Sequence, residues 1–159
     1  LVLKNSLKEL VSENEYSVTI QVHFNNLKEI DAQGGSYIFS DAVIDQNKID
    51  LNANLGSTIK LNLKTETLTA NSNTGAKLYL HGSVSKSVKL SASSGGQITA
   101  NELTTLRNII KVNSGSVVKA TATDYLEAQV LAGGNIKIHG KPKDVKEKIT
   151  LGGTIEYIK

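Results

Sequence analysis

Fifteen carboxylates, three histidines and seventeen lysines are the side chains of this chain with chemistry to offer. A pair of acids about 5 Å apart can act as the nucleophile and acid of a retaining glycosidase. Three or more acids with calcium and a basic residue suit a polysaccharide lyase. Asp31 and Asp50 fall at matching positions one repeat apart, and Glu127 shares that phase further along. The remaining acids are scattered and none are adjacent in sequence, so catalysis is not the expected reading. His23, His81 and His139 recur every 58 residues, close to three repeats. Histidines sharing a phase but three rises apart stand roughly 14 Å from one another, whereas zinc needs each ligand at about 2 Å. They are expected to be outward corner residues, with no metal and no cofactor.

The lysines outnumber a single arginine, Arg107, and the net charge is +3. Nucleic-acid binders draw on arginine forks and aromatic stacking, so no nucleic-acid partner is expected. Lys141, Lys143, Lys146 and Lys148 cluster, but Asp144 and Glu147 lie among them, which reads as a solvated terminal turn. No nucleophile-elbow, phosphate-loop or dinucleotide fingerprint is present. Leu131 to Ile136 lacks the aspartate of a calcium-binding nonapeptide.

What must position these groups is a repeat. Glycines recur at Gly34-Gly35, Gly56, Gly75, Gly95-Gly96, Gly115, Gly133-Gly134 and Gly152-Gly153. A period near 20 residues is the mark of a solenoid. Apolar and polar residues alternate on both sides of each glycine, as in Ile49 to Ala53 before and Ile59 to Leu61 after, so each glycine separates two half-buried strands. Small residues on the inward side of the corner (Ala32, Ala53, Ser72, Ala92, Ser114) suit a tight turn at which glycine takes positive φ. A third, more variable segment such as Ser83 to Ser87 closes the coil. The arithmetic predicts an all-β, single-stranded right-handed parallel β-helix of about seven coils and one domain overall. Residues 1–25 are expected to form an N-terminal cap and first strands, with a short helical turn at Leu7–Val11, and residues 26–159 the β-helix.

Stacked coils lie about 4.8 Å apart, so equivalent residues form ladders. The expected inward ladder is Ile49, Leu68, Val88, Ile110, Leu126 and Ile149. An outward one is Asn52, Asn71, Ser91, Asn113 and Gln129, able to hydrogen-bond along the stack. The column after each glycine reads Lys60, Tyr79, Thr99, Lys119, Lys137 and Glu156. Tyrosine among lysines on a flat sheet is the candidate face for an anionic polysaccharide, with Tyr79 as a stacking platform. Composition agrees: 39% of residues are hydrophobic but only 4% aromatic, which fits a narrow aliphatic interior. Cysteine is absent, so no disulfide framework exists. No apolar run reaches the roughly 18 residues of a membrane span. The chain opens at Leu1, and any signal peptide or lipid-attachment cysteine is expected ahead of it.

The C-terminal third carries a resemblance. Gly133-Gly134-Asn135-Ile136-Lys137-Ile138-His139-Gly140-Lys141-Pro142, then Lys143-Asp144-Val145-Lys146, then Gly152-Gly153-Thr154-Ile155 resembles the closing signature of the head GIN domain family, auto-transporter adhesin-like proteins of Bacteroidetes. The glycine-punctuated coils from about Asn26 onward agree, while Leu1 to Phe24 departs from that family's usual first motif. The resemblance implies an exported β-helix, periplasmic or at the cell surface and often lipid-anchored, with no catalytic residues to carry over. The expected function is therefore a non-enzymatic adhesin-like module binding a glycan, envelope component or protein. The alternatives are a β-helix polysaccharide lyase or hydrolase, and a structural spacer that self-associates through its ends, with the strand Thr154 to Ile158 pairing with another chain.

Overall fold

The structure, a computed structural model, describes residues 19–158. The helical turn expected at Leu7–Val11 lies outside the described residues, as does most of the expected cap. Residues 19–28 lead in without regular structure. From Glu29 onward the chain is a parallel β-solenoid of about seven turns, and no helix occurs among the described residues. Its strands are β1 (Glu29–Ala32), β2 (Tyr37–Ala53), β3 (Thr58–Asn73), β4 (Lys77–Ser93), β5 (Gln97–Thr105), β6 (Arg107–Val112), β7 (Val117–Thr121), β8 (Tyr125–Ala132), β9 (Asn135–His139), β10 (Asp144–Leu151) and β11 (Thr154–Ile158).

Each coil turns a corner at a residue pair held in the left-handed region. Leu55, Thr74, Ser94 and Ser114 sit at φ of 50–53°, and each precedes a glycine at 71–75°. The corners stack by hydrogen bonds between coils: Gly56 N donates to Thr74 O at 3.0 Å and Gly75 N to Ser94 O at 3.1 Å. The strand entering each corner makes one side of the solenoid (β1, the ends of β2 to β4, then β6, β8 and β10). The strand leaving it makes a second side (the starts of β2 to β4, then β5, β7, β9 and β11). All the pairings are parallel. A third side exists only in the early coils, where Ile44, Leu63, Gly82 and Leu103 align. At 122–124 and 140–143 it gives way to turns.

Alternate side chains point inward and form unbroken apolar columns. One runs Ile59, Leu78, Ile98, Val118, Ile136 and Ile155. The first five are at most 1% exposed. The entering side follows the expected pattern with two corrections of register. The inward column is Ile49, Leu68, Val88, Asn108, Leu126 and Val145, so Ile110 stands two residues away and Ile149 four, each in another inward column. Asn108 is buried, and its amide Nδ2 donates to Thr121 O at 2.6 Å, tying down the corner where the third side has been lost. The outward ladder continues from Ser91 to Lys111 and Gln129, not through Asn113. Its hydrogen bonding is real where the asparagines are: Asn71 Nδ2 donates to Asn52 Oδ1 at 2.9 Å. A second ladder lines the corner, with Asn73 Nδ2 donating to Asn54 Oδ1 and Ser93 Oγ to Asn73 Oδ1.

The paired glycines are not equivalent partners. Gly95 occupies the left-handed corner, at φ 75°. Gly96 takes the buried place held by Ala76 in the coil before it. A Cβ at Gly96 would stand 2.1 Å from Ser72 O, whereas one at Gly95 meets nothing within 4 Å. Gly96→Ala is expected to cost about 1–3 kcal/mol through overpacking, and Gly95→Ala about 1–2 kcal/mol through backbone strain alone. Leu90→Ala, which opens a cavity in the core, should cost about 2–5 kcal/mol. Urea unfolding followed by far-ultraviolet circular dichroism checks all three, and an undisturbed Gly96→Ala variant would contradict the packing described.

Candidate binding face

On the side leaving the corners, the residue four places after each left-handed glycine points outward. Register places Phe39, Lys60, Tyr79, Thr99, Lys119, Lys137 and Glu156 in one column. The five candidate residues therefore lie in line, each hydrogen-bonded strand to strand with the next. Phe39 extends the column, and counting four residues on from Gly35 would have found it. Lys77 stands beside this line, in the outward column that includes Tyr37 and Thr58.

The electrostatics of the column are uneven. Lys119 and Lys137 are direct ladder neighbours, a like-charge contact that disfavours the sheet. Glu156 relieves Lys137, with Oε2 3.5 Å from Nζ. Among the described residues, Lys60, Lys77 and Lys119 form no ion pair, whereas Lys48, Lys64, Lys86 and Lys143 each meet a carboxylate at 3.0 Å or less. Lys60, Lys77 and Lys119 stand unpaired beside Tyr79 and Thr99, while Lys28, Lys89, Lys111, Lys141, Lys146 and Lys148 likewise form no ion pair among the described residues.

Next to Lys60 the register of β2 against β3 slips between Ser40 and Val43. The bulge opens an open-mouthed cavity of about 160 Å³ lined by Ser40, Asp41, Lys60, Leu61, Asn62 and His81. His81 Nδ1 lies 3.1 Å from Glu102 Oε2 on the next coil. Tyr37 and Phe39 flank the same region, exposed and with ring centroids 5.6 Å apart. Small polar groups beside exposed aromatic rings suit a sugar, whose hydroxyls need hydrogen bonds and whose C–H faces stack on rings.

Apart from Asp41, His81, Glu102, His139 and Glu156, the acids and histidines of the described residues lie away from this face. Asp31 does not align with Asp50: the register pairs Glu29 with Asp50 and Asp31 with Asn52. The error is one of two residues within the strand. Glu29 accepts from Asn52 Nδ2 at 2.9 Å and Asp50 pairs with Lys48 at 3.0 Å, so both carboxylates already hold partners. Among the described residues no three histidines or acids gather closely enough to hold a metal ion. His81 and His139 belong to the same side, with intervening coils between them. Arg107 is on the entering side, its guanidinium 4.0 Å over the Tyr125 ring, with Lys146 5.9 Å from the same ring. The cluster of four lysines divides likewise, Lys143 pairing with Asp124 at 3.0 Å while Lys146 and Lys148 follow the outward ladders.

A second cavity, of about 340 Å³, opens at β10 and β11 among Gly140, Lys141, Pro142, Val145, Tyr157 and Ile158. Here the Tyr157 hydroxyl donates to Glu147 Oε1 at 2.5 Å. Partial burial pushes the Tyr157 phenol up to about 12, with the hydrogen bond to Glu147 and that carboxylate's charge adding to it.

The putative auto-transporter adhesin, head GIN domain family matches residues 1–142, and the chain belongs to that family. The match begins at residue 1, so it includes the opening that sequence reading had set apart from the family. Among solved structures, the crystal structure of a putative adhesin from Bacteroides fragilis NCTC 9343 superposes with a TM-score of 0.77 at 20% identity. The superposition covers 83% of this chain and 61% of that one, and at this identity it shows the shared fold. No functionally curated protein matches. The chain is an adhesin-like β-solenoid module, and no helix among its described residues is long and apolar enough to cross a membrane.

The raised Tyr157 pKa carries a sign. Its neutral form is favoured in the fold, so the contribution is fully present below the ordinary value of 10 and is lost as pH rises through about 12. Wild type should lose stability relative to Tyr157→Phe across that window and hold a constant offset below it. Alkaline unfolding of the two proteins in parallel measures this, and parallel curves up to pH 12 would contradict it.

Proposed function

We propose that this chain is a non-enzymatic, exported module, working in the periplasm or at the cell surface, that binds an acidic polysaccharide along the side leaving the corners. Lys60, Tyr79, Thr99, Lys119 and Lys137 form the binding line, and the bulge cavity beside Lys60 takes one sugar unit. The observation that carries this reading is the single straight column that places cations on both sides of a tyrosine and a threonine. A column repeating at about 4.8 Å is a linear array, and a linear polyanion can meet several of its points at once. Effective concentration then multiplies weak single contacts. The Lys119–Lys137 contact disfavours the free fold, and an anion bridging the two would remove that penalty. Family membership supports an adhesin-like role, and the dispersal of the acids onto partners of their own supports binding over catalysis.

Retention on immobilised polygalacturonate or alginate tests the proposal. Wild type should bind, and more weakly at high salt because exposed charges are screened. The triple variant Lys60→Ala, Lys119→Ala, Lys137→Ala should bind about tenfold more weakly or worse, at roughly 0.2–1 kcal/mol per exposed ion pair. Tyr79→Ala should weaken binding without changing its salt dependence. Failure of wild type to bind either polymer, or a triple variant that binds like wild type, would overturn the reading.

A further inference from the structure

Charge is sorted along the side that enters the corners. Its outward positions carry Glu29 and Asp31 on β1, then Lys48 and Asp50 on β2. A neutral stretch of β3 follows, with Thr67, Thr69 and Asn71. From β4 onward the same columns hold Lys89, Arg107, Lys111, Lys146 and Lys148, all exposed, against only Glu127 and Asp144. The later coils of this side are therefore a basic patch, on a different side of the solenoid from the Lys60–Lys137 column.

Tyr125 organises that patch. Arg107 is its ladder neighbour, and the guanidinium lies 4.0 Å over the ring. Lys146 approaches the same ring from the following coil, with Nζ 5.9 Å from the centroid. The Tyr125 hydroxyl donates to Glu127 Oε2 at 3.2 Å, so the carboxylate that register sets between Ile109 and Lys146 is held by a phenol. Among the described residues no carboxylate comes within ion-pair distance of Arg107, Lys89, Lys111 or Lys146. Lys89 is the ladder partner of Ile109, which Arg107 and Lys111 flank on the same strand. Three cations thus border one half-buried isoleucine.

A guanidinium stacked on an aromatic ring keeps its charge and its rim of N–H donors. Stacking also restricts its orientations, so less freedom is lost when a planar oxyanion takes two parallel hydrogen bonds from that rim. We propose that Arg107, positioned by Tyr125 and flanked by Lys89 and Lys111, is a second oxyanion-binding site, which takes a carboxylate of an acidic polysaccharide chain. The site stands on its own geometry, and only the class of polymer rests on the reading of the leaving side. Because the two sites occupy different sides, filling one leaves the other open, and one module can hold two chains.

Arg107 is the single arginine, so its Nε–Hε group gives one unambiguous nuclear magnetic resonance signal, with the amide spectrum as the check of fold. Trigalacturonate, too short to span both sides, is the probe, at about pH 6 where its carboxylates are charged. The Arg107 signal should shift saturably in wild type, and with the same midpoint to within about twofold in the triple variant Lys60→Ala, Lys119→Ala, Lys137→Ala. Lys89→Ala with Lys111→Ala should weaken the titration at least about twofold. Tyr125→Leu should weaken it similarly, whereas Tyr125→Phe, which keeps the ring, should restore it. Maltotriose, a neutral probe, should leave the signal in place. No saturable shift in wild type, an equal shift with maltotriose, or a folded Tyr125→Leu variant that titrates like wild type would overturn the site. A signal that moves with protein concentration alone would overturn it too, by assigning this face to a second copy. If the leaving-side reading alone fails, the Arg107 titration persists while the triple variant still binds immobilised polymer like wild type.

Discussion

Parallel in-register stacking is the constraint on which everything else in this molecule depends. Backbone donors and acceptors of one coil are satisfied by the coils on either side, so each residue's environment is set by the residues about 20 positions before and after it. That condition explains the aliphatic columns, because an inward side chain must match its neighbours in size along the stack as well as across the coil. It also explains the asparagine ladders at Asn52–Asn71 and Asn54–Asn73, where identical amides repeat at the spacing that lets one donate to the next. The corner makes the register possible. A residue pair in the left-handed region reverses the chain in minimal length, and its stacked amides lock the phase of consecutive coils.

Variation in coil length is confined to the third side. Counted between left-handed corner glycines Gly35, Gly56, Gly75, Gly95, Gly115, Gly133 and Gly152, the intervals range from 18 to 21. Yet the outward ladder always lies four residues before the glycine and the candidate binding column four after it. Insertions are absorbed at the bulges after Ser40, Thr65 and Tyr79, and deletions by losing the third strand altogether. Where that strand is lost, the interior changes character: Asn108 replaces an aliphatic residue so that its amide can reach the Thr121 carbonyl. The bulge beside Lys60 has the same origin, since a slip in register is what leaves room for a cavity on an otherwise flat sheet.

The fold was legible because its period is written in glycine, and glycine is demanded by geometry that few other residues tolerate. The candidate column was legible for the same reason, its distance from the corner being constant. What misled the reading was matching by residue type where counting from the corner was needed. Ile110 looked like the natural continuation of Ile49, Leu68 and Val88, but position demands Asn108, a polar side chain in an apolar column. Asn113 looked like the next rung after Asn52 and Asn71, yet it stands two residues too near the corner. Glycine pairs added a second ambiguity, because Gly95 and Gly96 fill different roles, one required by φ and the other by the Ser72 carbonyl. Phe39 was missed because the first coil has no regular predecessor to align it. The joining of Glu147 to Tyr157 is not legible from sequence, since it depends on two columns of one coil coming together in space.

A structure built from columns separates two kinds of surface. On the sides, a column presents one line of side chains whose composition can drift without disturbing the core, and single substitutions change a long polymer-binding site by one point only. At the ends, the same regularity exposes backbone edges and the cross-section of the core, surfaces that any similar coil would fit. The first property favours adhesion to extended, repetitive partners, and the second favours uncontrolled polymerisation.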